Sequence, residues 1–126
     1  MLEGELEQPA AAGAGVDAGG HGHRVRVVVD RPPRPGGDFV LYWMIAQRRL
    51  GWNFALDRAI AWAVELKRPL VVLEALRVDY PCASDRLHRF VIDGMEVNAR
   101  AFSAASVLYY PYVEPSANTG KGLVSR

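Results

Sequence analysis

Phe39-Val40-Leu41-Tyr42-Trp43-Met44 runs for six residues without a polar break, between Gly36-Gly37-Asp38 on one side and Gln47-Arg48-Arg49 on the other. Strict alternation of apolar and polar residues would mark a strand with one wet face. An unbroken run with polar borders fits a short strand buried on both faces, as in a parallel sheet covered by helices. A buried helix is the competing reading for a run this short, and the continuation decides between them. From Trp52 the apolar positions fall at 52, 55, 56, 59, 60, 63 and 64, which is one face of a helix. Strand, polar turn and amphipathic helix open an α/β unit.

The helix is expected over about 53–67. Asn53 suits the N-cap, where its side chain accepts from an exposed amide of the first turn. Lys67 and Arg68 stand at the negative end of the helix dipole, and Pro69 stops it. Trp62 lies off the main stripe. Leu70-Val71-Val72-Leu73-Glu74-Ala75-Leu76 is the next strand, apolar up to Glu74, and a loop follows through Ala83. Ser84 or Asp85 caps a second helix over about 85–102. Its face is Leu87, Phe90, Val91, Met95 and Phe102, with Gly94 expected to let the helix approach the sheet. Residues 106–113 make a third strand, at an edge or cut short at Pro111, which cannot donate to a ladder. A loop follows, and residues 121–126 look like the start of a helix.

The order β-α-β-α-β with right-handed crossovers predicts a three-layer Rossmann-like parallel sheet, partial, with strand order 3-2-1. The first strand would be central in a full sheet yet has no neighbour on its outer side. An open apolar edge of that kind invites aggregation or self-association. The expectation is therefore a domain over 38–126 that is incomplete at its C-terminal end, part of a longer protein.

Upstream of this domain the chain changes character. Residues 1–23, with Pro9-Ala10-Ala11-Ala12-Gly13-Ala14-Gly15 and Gly19-Gly20, have too little apolar bulk to offset the entropy of ordering, and read as a disordered tail. Glu3, Glu5 and Glu7 stand where a signal peptide is basic. No stretch reaches the roughly 18 apolar residues of a membrane span. Residues 24–37 read as an extended lead-in: Arg24-Val25-Arg26-Val27-Val28-Val29 has strand-forming residues, and Pro32, Pro33 and Pro35 stop any regular element.

Half of the residues are hydrophobic and 23% are charged, as in a soluble globular protein, and the net charge of +1 gives no electrostatic signature of a nucleic-acid binder. One cysteine, Cys82, cannot form an internal disulfide, which points to a reducing compartment and a cytoplasmic location. His21 and His23 lack a third ligand nearby, so no metal site is expected. Gly120-Lys121-Gly122 is not a phosphate-binding P-loop, which needs Gly-x-x-x-x-Gly-Lys-Ser/Thr after a strand, and no Gly-x-Gly-x-x-Gly follows the first strand. His88 lies among Arg86 and Arg89 and reads as a surface residue. Glu74, Asp57 and Asp79 form no carboxylate pair at a recognisable spacing.

The opening run, Gln47-Arg48-Arg49 and Trp52-Asn53-Phe54-Ala55-Leu56 together resemble the start of the DNA photolyase/cryptochrome family, class II type. Pro69-Leu70-Val71-Val72-Leu73, Ser84-Asp85-Arg86-Leu87-His88-Arg89-Phe90, Tyr109-Tyr110-Pro111-Tyr112-Val113 and Gly120-Lys121-Gly122-Leu123 continue it in order, so the resemblance covers about residues 24–126. The chain departs from many relatives at Trp52, where they carry an acidic residue.

The resemblance implies a two-part enzyme, a deoxyribodipyrimidine photo-lyase acting on cyclobutane pyrimidine dimers. In the family an N-terminal α/β domain can hold a deazaflavin-type antenna, and a C-terminal helical domain holds FAD and meets damaged DNA. The chemistry belongs to the flavin, and the dimer is read out of the stack. This chain matches the N-terminal domain only, so no catalytic residue, no cofactor of its own and no repair activity are expected of it. Trp43, Trp52 and Trp62 are expected in core packing rather than in an electron relay. Ligands of open α/β sheets bind beyond the C-terminal strand ends. Arg48, Arg49 and Asn53, in the turn after the first strand, are therefore the candidate antenna-pigment corner. The alternative is a stand-alone nucleotide- or pigment-binding α/β module without enzymatic activity.

Overall fold

The computed structural model describes residues 25–124, which fall into two units divided between Gly37 and Asp38. Residues 25–37 form no helix or strand. Residues 1–24, with His21 and His23, lie outside the described residues, as do Ser125 and Arg126.

The second unit is an α/β fold with the elements β1 (Val40–Met44), α1 (Phe54–Leu66), β2 (Leu70–Leu76), α2 (Asp85–Phe102) and β3 (Leu108–Val113). The three strands are parallel and lie side by side in the order β1-β2-β3, which is the expected order. Local signals explain the helix ends. The Asn53 side chain accepts from the Leu56 amide at the start of α1, and Ser84 does the same for Leu87 in α2. α1 ends on Lys67 in the left-handed conformation, with its amide on the carbonyls of Ala63 and Val64, before Pro69. β3 lies at an edge and accommodates Pro111 opposite Glu74.

Strand register sets which residues share a face. Val40, Tyr42 and Met44 align with Leu70, Val72 and Glu74, and Val72 aligns with Tyr109. On this face Met44, Leu70 and Val72 form one core with Leu56, Ala59 and Ala63 of α1 and Phe102 of α2. Phe102 stacks on Tyr109 with ring centroids 5.0 Å apart. Both helices therefore cover the same face, as two successive right-handed crossovers in one direction require. Within the described residues the opposite face has no helix over it, and Leu41, Trp43, Leu108 and Tyr110 are exposed there.

The structure corrects five readings, the burial of β1 because of this one-sided cover. β1 is not buried on both faces; it alternates, with only Met44 fully buried. The buried stripe of α1 is Leu56, Ala59 and Ala63, while Trp52 is 84% exposed and Ile60 and Val64 face outward. Trp62 is half-buried, with the Arg58 guanidinium 6.0 Å from its ring centre. In α2 the buried residues are Met95, Asn98 and Phe102, whereas Phe90 is 77% exposed, because only the C-terminal half of this 18-residue helix meets the sheet. Gly94 approaches nothing: a Cβ there would find open space. Residues 117–124 form turns rather than the start of a helix.

Candidate functional site

Among the described residues four polar side chains are buried, Asn53, Glu74, Asn98 and Glu114, and they organise the loops at the C-terminal end of the sheet. Asn53 is fully buried. Its Oδ1 accepts from the Leu56 amide at 3.1 Å, which caps α1. Its Nδ2 donates to the carbonyls of Gln47 and Arg49 at 3.1 and 2.9 Å. The Tyr42 hydroxyl, reaching up from β1, donates to the same Oδ1 at 3.2 Å. One amide thereby fixes both the shape of the turn after β1 and the start of the helix that follows.

Glu74 is 1% exposed, inside the central strand. Its Oε1 accepts from Arg48 Nη1 at 3.2 Å, and its Oε2 from Asn98 Nδ2 at 2.9 Å and Tyr109 Oη at 2.6 Å. Arg48 continues outward, donating from Nη2 to the Ala75 carbonyl at 2.8 Å and from Nε to the Ile45 carbonyl at 3.1 Å. Asn98 also donates to the carbonyl of Arg48 at 3.2 Å. A buried carboxylate with three donors from three elements is fully satisfied, as its desolvation requires. Burial, and then the hydrogen bond to Glu74 and its negative charge, push the Tyr109 hydroxyl well above the ordinary tyrosine range; Arg48 and Asn98 oppose this more weakly. The proton therefore stays on Tyr109, which is the donor.

Glu114, just beyond β3, is 3% exposed. Its Oε2 accepts from the Val78 amide and its Oε1 from the Gly120 amide, both at 3.1 Å. It joins the loop after β2 to the loop after β3.

The three residues proposed from sequence, Arg48, Arg49 and Asn53, lie in one turn and differ in surroundings. Arg48 is half-buried on Glu74, and Asn53 is buried as a cap. Arg49 is exposed, and its side chain forms no ion pair among the described residues. No spacing in the sequence marks the network of Glu74 with Arg48, Asn98 and Tyr109, nor the separate Glu114 carboxylate. The only local sign of it was a glutamate inside an otherwise apolar strand. Cys82 is exposed and unpaired. His88 sets its ring edge-on to Tyr80 at 5.5 Å and keeps a buried Nε2 without a hydrogen-bond partner. Among the described residues no group of three or more His, Cys, Asp or Glu side chains could hold a metal ion, and no helix is long and apolar enough to cross a membrane.

Over 75 residues, 60% of its length, the chain is 43% identical to a deoxyribodipyrimidine photo-lyase of Methanothermobacter thermautotrophicus. That similarity supports photolyase family membership for this stretch alone. The matched photolyase segment is 17% of the relative's own length, so the chain corresponds to a fraction of that photolyase. No family model matches the chain, and no solved structure matches it.

Proposed function

We propose that this chain is the N-terminal α/β part of a light-driven DNA-repair photolyase that acts on cyclobutane pyrimidine dimers. The observation that carries the reading is the 43% identity to a deoxyribodipyrimidine photo-lyase, and the parallel α/β sheet is compatible with it. On this reading FAD and the damaged DNA meet a helical domain outside this sequence, the protein works in the cytoplasm, and the 126-residue chain alone neither holds FAD nor repairs DNA. The uncovered apolar face and the outer edge of β1 make the isolated chain prone to self-association.

Within this reading the turn after β1 is the antenna-pigment corner. Arg49 is its contact residue, an exposed arginine in the turn whose carbonyl the Asn53 cap holds, suited to an anionic or polar group. Arg48 and Asn53 hold the turn in shape from behind. The test compares two products of the same genomic locus: the 126-residue chain, and the product of the reading frame continued past Arg126. The longer product should carry flavin and repair ultraviolet-irradiated DNA only in light, and the 126-residue chain should do neither. In the longer product Arg49→Ala should weaken antenna binding or energy transfer while leaving flavin content and direct repair intact. A stop directly after Arg126, or stoichiometric flavin on the short chain, overturns the photolyase reading. Loss of flavin or repair with an unchanged antenna spectrum overturns the role of Arg49.

A further inference from the structure

A hollow of about 270 Å³ lies at the opposite end of the sheet from the buried polar groups, between the end of α1, the turn into β2 and the residues that lead into β3. Ala63 and Leu70 are its buried lining, and the exposed Ile60 and Val64 of α1 and the half-buried Val107 extend its apolar wall. Among the described residues its polar lining is Lys67, Arg68 and Ser106, without a carboxylate. The turn beside it is fixed. The Lys67 amide donates to the carbonyls of Ala63 and Val64, the Arg68 amide donates to Ala63 at 3.0 Å, and the Pro69 carbonyl accepts from the Val40 amide at 2.9 Å. The carbonyls of Ala63 and Val64, which would repel an anion at this end of the helix, are thereby occupied.

Lys67 breaks a local preference. Its φ of 52° is left-handed, at the helix-end position that glycine fills most often because a Cβ is strained there. A lysine in that conformation keeps the strain and sets a cationic side chain at the hollow. Lys67 is exposed and forms no ion pair among the described residues. Arg68 adds a second positive charge beside it, and the Ser106 hydroxyl adds a donor across from them. An apolar wall with two cations and no acid is complementary to a hydrocarbon chain that ends in an anion. A volume at the low end for ligand pockets suits a short flexible chain rather than a ring system.

We propose that this hollow is a binding site for a medium-chain aliphatic carboxylate, with the chain against Ile60, Val64 and Val107 and the carboxylate on Lys67. The site lies away from the turn at Arg49 and stands whether or not the photolyase reading does. Equilibrium dialysis of the 126-residue chain against octanoate tests it, with octylamine and acetate as separate probes. Octanoate should saturate one site per chain, and both other probes should bind more weakly, octylamine for want of the anion and acetate for want of the chain. Lys67→Gly removes the cation and suits the left-handed turn, so it should keep the fold, leave the melting temperature no lower, and weaken octanoate roughly five- to tenfold. Lys67→Arg should retain the binding. Val64→Glu, a change at an exposed position outside the turn, should weaken octanoate and strengthen octylamine. No saturation in the millimolar range, equal affinity for octanoate and octylamine, or octanoate affinity unmoved by both Lys67→Gly and Val64→Glu overturns the proposal; the last result would put the chain on the uncovered face of the sheet.

Discussion

Replacing Tyr109 with phenylalanine removes one oxygen atom and leaves the ring stacked on Phe102. The lost interaction is a 2.6 Å hydrogen bond donated to the buried Glu74 carboxylate. Hydrogen bonds to charged groups contribute about 1.5–3 kcal/mol. Glu74 keeps the Asn98 donor on the same oxygen at 2.9 Å and Arg48 on the other at 3.2 Å, so the carboxylate is not orphaned. The cost belongs at the low end, about 1.5–2 kcal/mol. The longer approach of the hydroxyl to the Met95 carbonyl, 3.4 Å, adds little. In urea denaturation followed by tryptophan fluorescence, at matched protein concentration and near neutral pH, a slope of about 1 kcal/mol per molar moves the midpoint down by about 1.5–2 M.

The pH dependence gives an independent check. Tyr109 holds its proton to higher pH in the folded chain than in the unfolded one, whose tyrosines ionise near about pH 10. Above that pH the unfolded state binds fewer protons than the folded state, so stability falls as pH rises. The contribution of Tyr109 is therefore complete below about pH 10 and is lost above it. The gap between wild type and Tyr109→Phe should be widest near neutrality and narrow through the alkaline range. The four remaining tyrosines of the chain's five are common to both proteins and cancel in the difference. A midpoint shift below about 0.3 M, or a gap that stays constant as pH rises past the tyrosine range, would refute the assignment of Tyr109 as the donor to Glu74.

Asn53→Ala should cost about 2–3 kcal/mol, from the lost cap and from the lost bonds to the Gln47 and Arg49 carbonyls. Asn53→Asp should fail to rescue the loss, because an aspartate caps but does not donate, and equal stability of Asp and Asn in urea melts would show that the bonds to Gln47 and Arg49 carry nothing. Gly94→Ala should stabilise the chain by about 0.5–1 kcal/mol, since helix propensity improves and the new methyl meets open space; a lowered melting temperature would reveal a contact there. The isolated chain should sediment as concentration-dependent oligomers, and a monomer with a sharp melt independent of concentration would sink that expectation.

What the sequence revealed and what it hid divide along the range of the interaction. Asn53, Ser84 and Pro69 act on neighbours within one helical turn, so α1 and α2 could be bounded from residue types alone. Pro111 is likewise a local statement: it has no amide to donate, and β3 lies at the edge. The burial of β1 is not local. Phe39–Met44 reads as continuously apolar whether one face is covered or two, and only the path of both crossovers shows that α1 and α2 share a face. The same holds for α2, where Phe90 and Met95 carry similar side chains but only Met95 lies over the sheet.

The site is still more dependent on register. Arg48, Asn98 and Tyr109 reach Glu74 from 26, 24 and 35 residues away, and Glu114 reaches Val78 across 36. No spacing rule anticipates pairs at such separations; a parallel sheet with two crossovers creates them. A charge in the middle of an apolar strand is nonetheless a usable signal, because burial without partners would cost several kcal/mol. Glu74 therefore implies donors, and the donors must come from whatever the fold brings beside β2. They turn out to be the turn after β1, the second half of α2 and the edge strand β3. A buried ion pair adds little net stability over an apolar pair of the same shape. What Glu74 supplies is mutual position: with it, four elements meet at the sheet's C-terminal end in one arrangement, and the turn carrying Arg49 is held there as well.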